Sequence, residues 1–452
     1  MSPSPINTNT ASHWSSRFAF LMASVGFAVG LGNIWRFPYI TGENGGAAFV
    51  MVYLLCVFVI GVPILIAELI IGRRGQGSPP RALGNLARDQ GRSPHWQYLG
   101  TMNVLAAFTI MLVYSVIAGW VLRYLYLALV SGFAGVDGIQ ANLAFEQLLG
   151  DPLALIFWTL LGLTITGMIT YAGVQKGIER AVTVLMPLLF LLLVLLVIYN
   201  MMAGGFSAGV AYLFAPDFSK INGSVFLAAL GQAFFSIGVG MAAMMTYGAY
   251  LPKTVSISRS VGIIIVADTL VAILAGLVIF PAVFHHGLDP AGGPGLIFKT
   301  LPVAFSAMQG GHVVSVLFFL LLSVAAITSM VGLIEAQTHT LEEHKGYPRH
   351  KSAWVIVSVI AVLGVFSALG YNHLAEYSFL GRDINGLLDY LANQIMLPLG
   401  GLLIAVFAGW FMTRDSVVEE LGIGEGMGFR LWYFLLRYIA PVAVLWVFLA
   451  GI

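Results

Sequence analysis

"GFAVGLGNIWRFPY", residues 26–39, places Gly26, Gly30, Gly32 and the amide of Asn33 inside an otherwise apolar run, then follows them with Arg36 and Pro38. A helix that crosses hydrocarbon satisfies its backbone groups by its own turns. Glycines, an amide and a proline together therefore mark an interruption, and the freed carbonyls become available to a cation. Small residues that only let helices approach would give a similar pattern. A second stretch favours the interruption: "GQAFFSIGVGMAAMMTYGAY", residues 231–250, sets Ser236, Gly238 and Gly240 between apolar flanks.

Composition supplies the surroundings. Of 452 residues 59% are hydrophobic and 9% charged, with a mean hydropathy of +0.91. That leaves too little polar surface for a soluble protein of this size. Apolar runs recur at 18–40, 46–72, 98–130, 152–171, 182–202, 222–250, 258–286, 312–342, 351–371, 385–412 and 430–452. Each is near the ~20 residues that cross ~30 Å of hydrocarbon, and each is too long for barrel strands of ~9–11 residues. The expected fold is an all-α polytopic membrane protein of about 11 transmembrane helices, with helices 1 and 6 broken. A net charge of +1 without a basic-aromatic cluster gives no sign of nucleic acid. Cys56, the single cysteine, lies mid-span and allows no internal disulfide.

Basic residues set the expected orientation. Arg17, Arg73, Arg74, Arg81, Arg88, Arg92, Lys176, Arg180, Lys253, Arg259, Lys345, Arg349, Lys351 and Arg414 fall on one side, against Lys220, Lys299 and Arg382 on the other. The amino terminus is thus expected in the cytoplasm and, with an odd number of spans, the carboxyl terminus outside, in a bacterial cell membrane. The polar start lacks a basic n-region, so no cleavable signal peptide is expected.

Interrupted spans in corresponding positions of two halves point to an inverted-repeat transporter. In such folds half-helix amino termini face an anionic group and unwound carbonyls face a cation. The run "GFAVGLGNIWRFPYITGENGG" (26–46), the 231–250 stretch and "AAITSM" (325–330) resemble the neurotransmitter:sodium symporter family, typified by the bacterial leucine transporter. The resemblance extends from about Trp14 to the last span. It implies a 5+5 inverted repeat: a polar tail at 1–13, a first five-helix repeat at 14–202, a second at 203–412, and a loop with an additional helix 11 at 413–452. That last helix is read as peripheral packing or a homodimer surface.

The resemblance also assigns residues. A first sodium would take the carbonyl of Ala28 and the side chains of Asn33, Ser236 and Asp268. A second would take the carbonyls of Gly26, Val29 and Ala325 with the hydroxyls of Thr328 and Ser329. These are hard oxygen ligands, as an alkali cation requires, and no organic cofactor is expected. Many relatives carry asparagine at the position of Asp268, and chloride-dependent ones a serine where Ala272 stands. A carboxylate beside sodium could supply the charge that chloride supplies elsewhere, so transport is expected to be chloride-independent. Protonation of Asp268 would open proton antiport, and bonding to Ser236 or Gln232 as a packing group is the plainer alternative.

The substrate carboxylate would meet the backbone at Gly30 to Gly32 and the hydroxyl of Tyr114. The side chain would face Phe27, Ile110, Phe235, Gly238, Met241, Ser329 and Leu333, a lining suited to a neutral, hydrophobic amino acid. Gly238 frees room and Phe27 takes some back, which leaves substrate size open. By the same resemblance, Arg36 pairs with Asp389 above a lid of Tyr114 and Phe235. Trp14, Tyr250 and Glu343 close the cytoplasmic side, where the usual basic partner is replaced by Ala11, so that this gate leans on Arg17 or is looser. Gly177 and Pro187 form a hinge that unwinds the fifth span, or a simple kink.

The implied function is sodium-driven symport by alternating access. A binding sensor without transport, or carriage of an analogue such as taurine, stays open. An enzyme is not expected: His339 and His344 flank Glu342 and Glu343, and His285 adjoins His286, yet no H-E-x-x-H motif is present.

Overall fold

A computed structural model describes residues 13–451, and every count below refers to these. Nine uninterrupted helices are long and apolar enough to cross a membrane. A bent pair and a short apolar helix complete the expected eleven. The bent pair is α1 (Arg17–Ala28) and α2 (Gly32–Glu43), which meet at 43°. Next come α3 (Ala47–Gly75), α4 (Pro79–Asp89), α5 (Pro94–Val130), α6 (Pro152–Tyr171) and α7 (Val174–Ala203). The second half opens with α8 (Gly223–Ile237) and α9 (Ala243–Ala249), the two pieces of the sixth span. It continues with α10 (Ile257–His285), α11 (Gly311–Lys345), α12 (Arg349–Leu369) and α13 (Ile384–Phe411), and α14 (Met427–Leu449) follows. All but one of these elements are spans or half-spans; α4 is an amphipathic helix in a connection.

Local chemistry sets the helix starts. Ser16 accepts from Ala19 N at the head of α1, Asp151 from Ala154 N before Pro152, and Asn222 from Val225 N before α8. Each satisfies an amide that the first turn leaves without a partner. Short connecting helices at Gly138–Gly150, Phe206–Phe214 and Arg414–Leu421 were not legible as spans, because they are too short to show as apolar runs.

The packing puts the breaks at the centre. α11 is the most enclosed span, 89% buried over its apolar window, whereas α14 is 28% buried and lies at the edge against α13. Helix α11 packs along α5 and against α1, while α3 holds α8 and α9. Asn200 of α7 donates to the carbonyl of Val278 in α10 at 2.6 Å, tying the two halves together. In an apolar interior such bonds and close small-residue contacts, not hydrophobic burial alone, select which helices associate.

Candidate substrate and ion site

The first break begins where Val29 N makes the last α1 bond, to Val25 O at 2.7 Å, and Val29 turns extended (ψ 94°). The chain restarts in a π turn over Gly32–Arg36. Asn33 Oδ1 accepts from Gly30 N (3.2 Å), and the Tyr114 hydroxyl accepts from Leu31 N (3.2 Å). The interrupted backbone is thus capped from within, as a break at membrane depth requires. A Cβ on Gly30 would lie 2.1 Å from Ser329 Oγ, so only glycine lets α11 approach here. At the second break Gly238 and Gly240 take φ of +72° and +79°, the left-handed region that glycine enters without steric cost. Gly240 N donates to Glu68 Oε1 at 2.7 Å.

Beside the first break lies a cluster of oxygens. Asn33 Nδ2 donates to Ser236 Oγ (3.0 Å), to the Asp268 carbonyl (3.0 Å) and to Asp268 Oδ1 (2.7 Å). Ser236 Oγ lies 3.1 and 3.0 Å from the two Asp268 carboxylate oxygens, and the Tyr53 hydroxyl bonds Ser236 Oγ at 3.1 Å. Asn33, Ser236 and Asp268 are therefore together, and all are buried. Gln232 does not join them; it donates to Gly32 O at 2.8 Å. The amide of Asn33 directs its NH2 into the cluster, holding the oxygens as a cation would. To ligate through Oδ1 it must turn over and give up the Gly30 N–H bond.

The residues expected around a second ion line the other side of the same break. Ser329 Oγ donates to Phe27 O (3.1 Å), and Thr328 Oγ1 to Val324 O (3.0 Å) and Ala325 O (3.2 Å). A hydroxyl that donates to backbone keeps its lone pairs, so Thr328 retains the capacity to ligate. Gly26 faces Met186 of α7.

A small cavity separates the two breaks. It is lined by Phe27, Ala28, Gly30, Gly32, Ile110, Tyr114, Phe235, Gly238, Met241, Ser329 and Leu333, with no ionisable group but the Tyr114 phenol. Its volume is ≈20 Å³, about one water. The reason is Phe27, whose ring lies in a slot between two glycines. A Cβ at Gly238 would come within 2.3 Å of that ring, and one at Gly332 within 2.4 Å. The room that Gly238 yields is thus filled by Phe27, and Gly332, unremarked in the sequence, forms the other wall.

The closures differ from expectation on both sides. Arg36 makes no ion pair with Asp389; its guanidinium lies 4.7 Å above the Phe235 ring and donates to Gln232 Oε1 at 3.2 Å. Asp389 is exposed and accepts from Asn393 at 2.6 Å. On the opposite side Trp14 donates from Nε1 to Tyr247 O (3.1 Å) and from its backbone N to Tyr250 O (3.2 Å). Aromatic contacts run from Trp14 through Tyr247 to Phe27 and form a floor. Glu343 is not part of it. It sits on Ser78 N (2.6 Å) and Arg81 (3.2 Å), because it lies eight residues, about 12 Å along α11, from the turn that faces Tyr250. The residue on that turn is Glu335, fully buried, which accepts from the Tyr250 hydroxyl (2.8 Å) and is ion-paired with Arg349. Arg17 has no ion-pair partner among the described residues, and Ala11 lies outside them.

The hinge segment is wound, with no open stretch: Gly177 lies in a π turn, Val174–Glu179, and Pro187 within the helix that follows. Gly177 also has a packing reason, since a Cβ would lie 2.0 Å from Ile169 O. His339 is 4.0 Å from both Glu342 and Glu343, but Arg349 and Arg81 hold those carboxylates. Among the described residues no group of three or more His, Cys, Asp or Glu could hold a metal ion.

Sequence reading passed over Tyr53, Glu68 and Glu335, and gave Gln232 and Arg349 no part in the closures. A signal existed for Glu68 and Glu335: each is an acid inside a long apolar run, which marks function by default.

Known proteins share this architecture. The sequence profile described as the sodium:neurotransmitter symporter family matches residues 11–135 and 141–452. The uncharacterised sodium-dependent transporter YhdH of Bacillus subtilis is 36% identical over 439 residues, covering 96% of each chain. An uncharacterised sodium-dependent transporter of Haemophilus influenzae is 35% identical over 455 residues, covering 99% of each. The crystal structure of MhsT in complex with L-phenylalanine superposes with a TM-score of 0.91 at 41% identity, over 98% of this chain and 100% of that one. With its broken first and sixth spans and this match along almost its whole length, the chain belongs to the sodium:neurotransmitter symporter family of sodium-dependent membrane transporters.

Proposed function

We propose that the protein carries neutral, hydrophobic amino acids into the cell with about two sodium ions, by alternating access and without chloride. The observation that carries this reading is the cavity between the two breaks. Its apolar walls and the Tyr114 hydroxyl are completed by Gly32 and Phe235, the chain neighbours of Asn33 and Ser236, whose oxygen cluster already contains a carboxylate, Asp268. A charged side chain would be left unpaired among Phe27, Ile110, Met241 and Leu333, at a cost of several kcal/mol, about 2–7 even for an uncharged polar group. The structural neighbour bound to L-phenylalanine, at 41% identity, supports the same substrate class.

The residues act in sequence. Backbone at Gly30 to Gly32 and the Tyr114 hydroxyl receive the substrate carboxylate, and sodium at Asn33, Ser236 and Asp268 neutralises it. To admit the side chain, Phe27 leaves its slot or Phe235 lifts. Arg36 over Phe235 closes one side, and Trp14 with Tyr250 and Glu335 closes the other; the basic residues put the second side in the cytoplasm, with the amino terminus.

The test is uptake of a panel of radiolabelled amino acids by proteoliposomes with an inward sodium gradient, against potassium on both sides. Accumulation above equilibrium only with sodium, unchanged when gluconate replaces chloride, is expected. Sodium-dependent binding without accumulation would identify a sensor instead, and loss of uptake in gluconate would remove the role given to Asp268.

A further inference from the structure

A second cavity, far larger than the first at ≈640 Å³, opens between α4, α5, α11 and the start of α12, on the face where Trp14 lies. The transport cycle described above makes no use of it. Its rim and walls differ in chemistry. Arg81 and Arg88 stand at the rim with Gly84 between them, and positions 81, 84 and 88 share one face of α4. Arg81 is shared with Glu343, but Arg88 bonds only Asn85 Oδ1 (2.7 Å), so the rim keeps a net positive charge; the exposed His344 also faces it. The walls are Leu105, Phe108, Leu341 and Ile356, and Leu105 is 51% exposed on what the apolar spans make the lipid side. At the inner end Gln337 is buried to 2%, and its Oε1 has no hydrogen-bond partner.

We propose that this cavity binds one phospholipid with an anionic headgroup. The phosphate would sit between Arg81 and Arg88, a hydroxyl of the headgroup would donate to Gln337 Oε1, and an acyl chain would lie along α5. Length agrees: from Gln97 to Phe108 the helix rises about 16 Å, half of the ~30 Å hydrocarbon core, which is one leaflet. A free anion would find the arginines but would leave the apolar wall uncovered, and a zwitterionic lipid would bring a cationic amine with its phosphate to a rim that is already net positive. The cavity touches the transport site through one residue. Gln337 Nε2 donates to the carbonyl of Leu333, which lines the substrate cavity one turn away, so lipid at Gln337 braces the turn of α11 that substrate contacts.

The experiment is native mass spectrometry of the full chain released from micelles with added phosphatidylglycerol or phosphatidylcholine, beside thermal unfolding in each lipid. One phosphatidylglycerol should be retained preferentially. Arg88→Ala should lower that retention about fivefold, the worth of one arginine near a membrane surface, Arg88→Lys should keep most of it, and Leu105→Trp should block the groove. Leu105 faces lipid, so its variant is expected to fold, and unfolding in phosphatidylcholine checks that it does. Equal retention of the two lipids, retention unchanged in both Arg88→Ala and Leu105→Trp, or displacement by glycerol phosphate alone would each overturn the proposal.

Discussion

Among single residues, the proposed function leans most on Phe27 and Asp268. Because the Phe27 ring fits between Gly238 and Gly332, adding one methyl at Gly238 forces the ring into the cavity or the break apart. Gly238 also has a left-handed φ that costs alanine roughly 1–2 kcal/mol. Gly238→Ala should therefore reduce kcat/KM for uptake by more than about tenfold, while Phe27→Leu should shift preference towards bulkier side chains, both read from initial rates in proteoliposomes. Asp268 is the only carboxylate in the oxygen cluster. Replacing it by asparagine removes a charged partner worth about 1.5–3 kcal/mol. The sodium concentration that half-saturates uptake should rise by roughly ten- to a hundredfold on Asp268→Asn, and an unchanged sodium dependence would argue against the ion site.

Helices act here through their ends and crossings. The link from α9 to α11 and α12 is Tyr250 to Glu335 to Arg349, with Glu335 fully buried. Arg349→Ala strands that carboxylate and should cost about 3–5 kcal/mol of stability, whereas replacing Glu335 and Arg349 together by leucine and methionine should recover most of it. The check is thermal unfolding of the purified variants. Function should separate from stability in the double variant, which lacks the closure and should leak substrate from preloaded vesicles. In α7 the wound segment between Gly177 and Pro187 makes the hinge a proposal about motion. Pro187→Ala restores a backbone donor and should stiffen the helix, so turnover and sodium release should slow while equilibrium binding stays near wild type. Turnover unchanged in that variant would leave Pro187 a simple kink. The element-scale misreadings share one cause. Matching Glu343 to the inner gate and Asp389 to Arg36 carried the family's positions over one by one, but partners across a crossing depend on helix rotation and on which side chains lie within reach. Gln232 and Phe235 reach Arg36, and Glu335 faces Tyr250 about two turns before Glu343.

At the scale of the molecule, the proposed function brings sodium and substrate to one break, which would couple their binding free energies. Sodium should raise amino-acid affinity by the same factor by which the amino acid raises sodium affinity, measurable by equilibrium binding with each ligand varied in turn. Affinities that vary independently would separate the sites. What the sequence determined by itself was everything carried by local chemistry. Apolar run lengths gave eleven spans, and glycines, with Pro38 at the first, placed the two interruptions; the grouping of Asn33, Ser236 and Asp268, up to 235 positions apart, came from the family resemblance, and the three meet in one oxygen cluster. Only the tertiary structure decided which groups touch. Phe27 fills the space left by Gly238, Glu335 takes the place given to Glu343, Arg36 rests on Phe235, and Glu68 holds Gly240. In an apolar interior most faces of a helix are equally oily, so the apolar pattern does not encode its rotation; close packing of small residues and the satisfaction of a few buried polar groups set it once the helices have met.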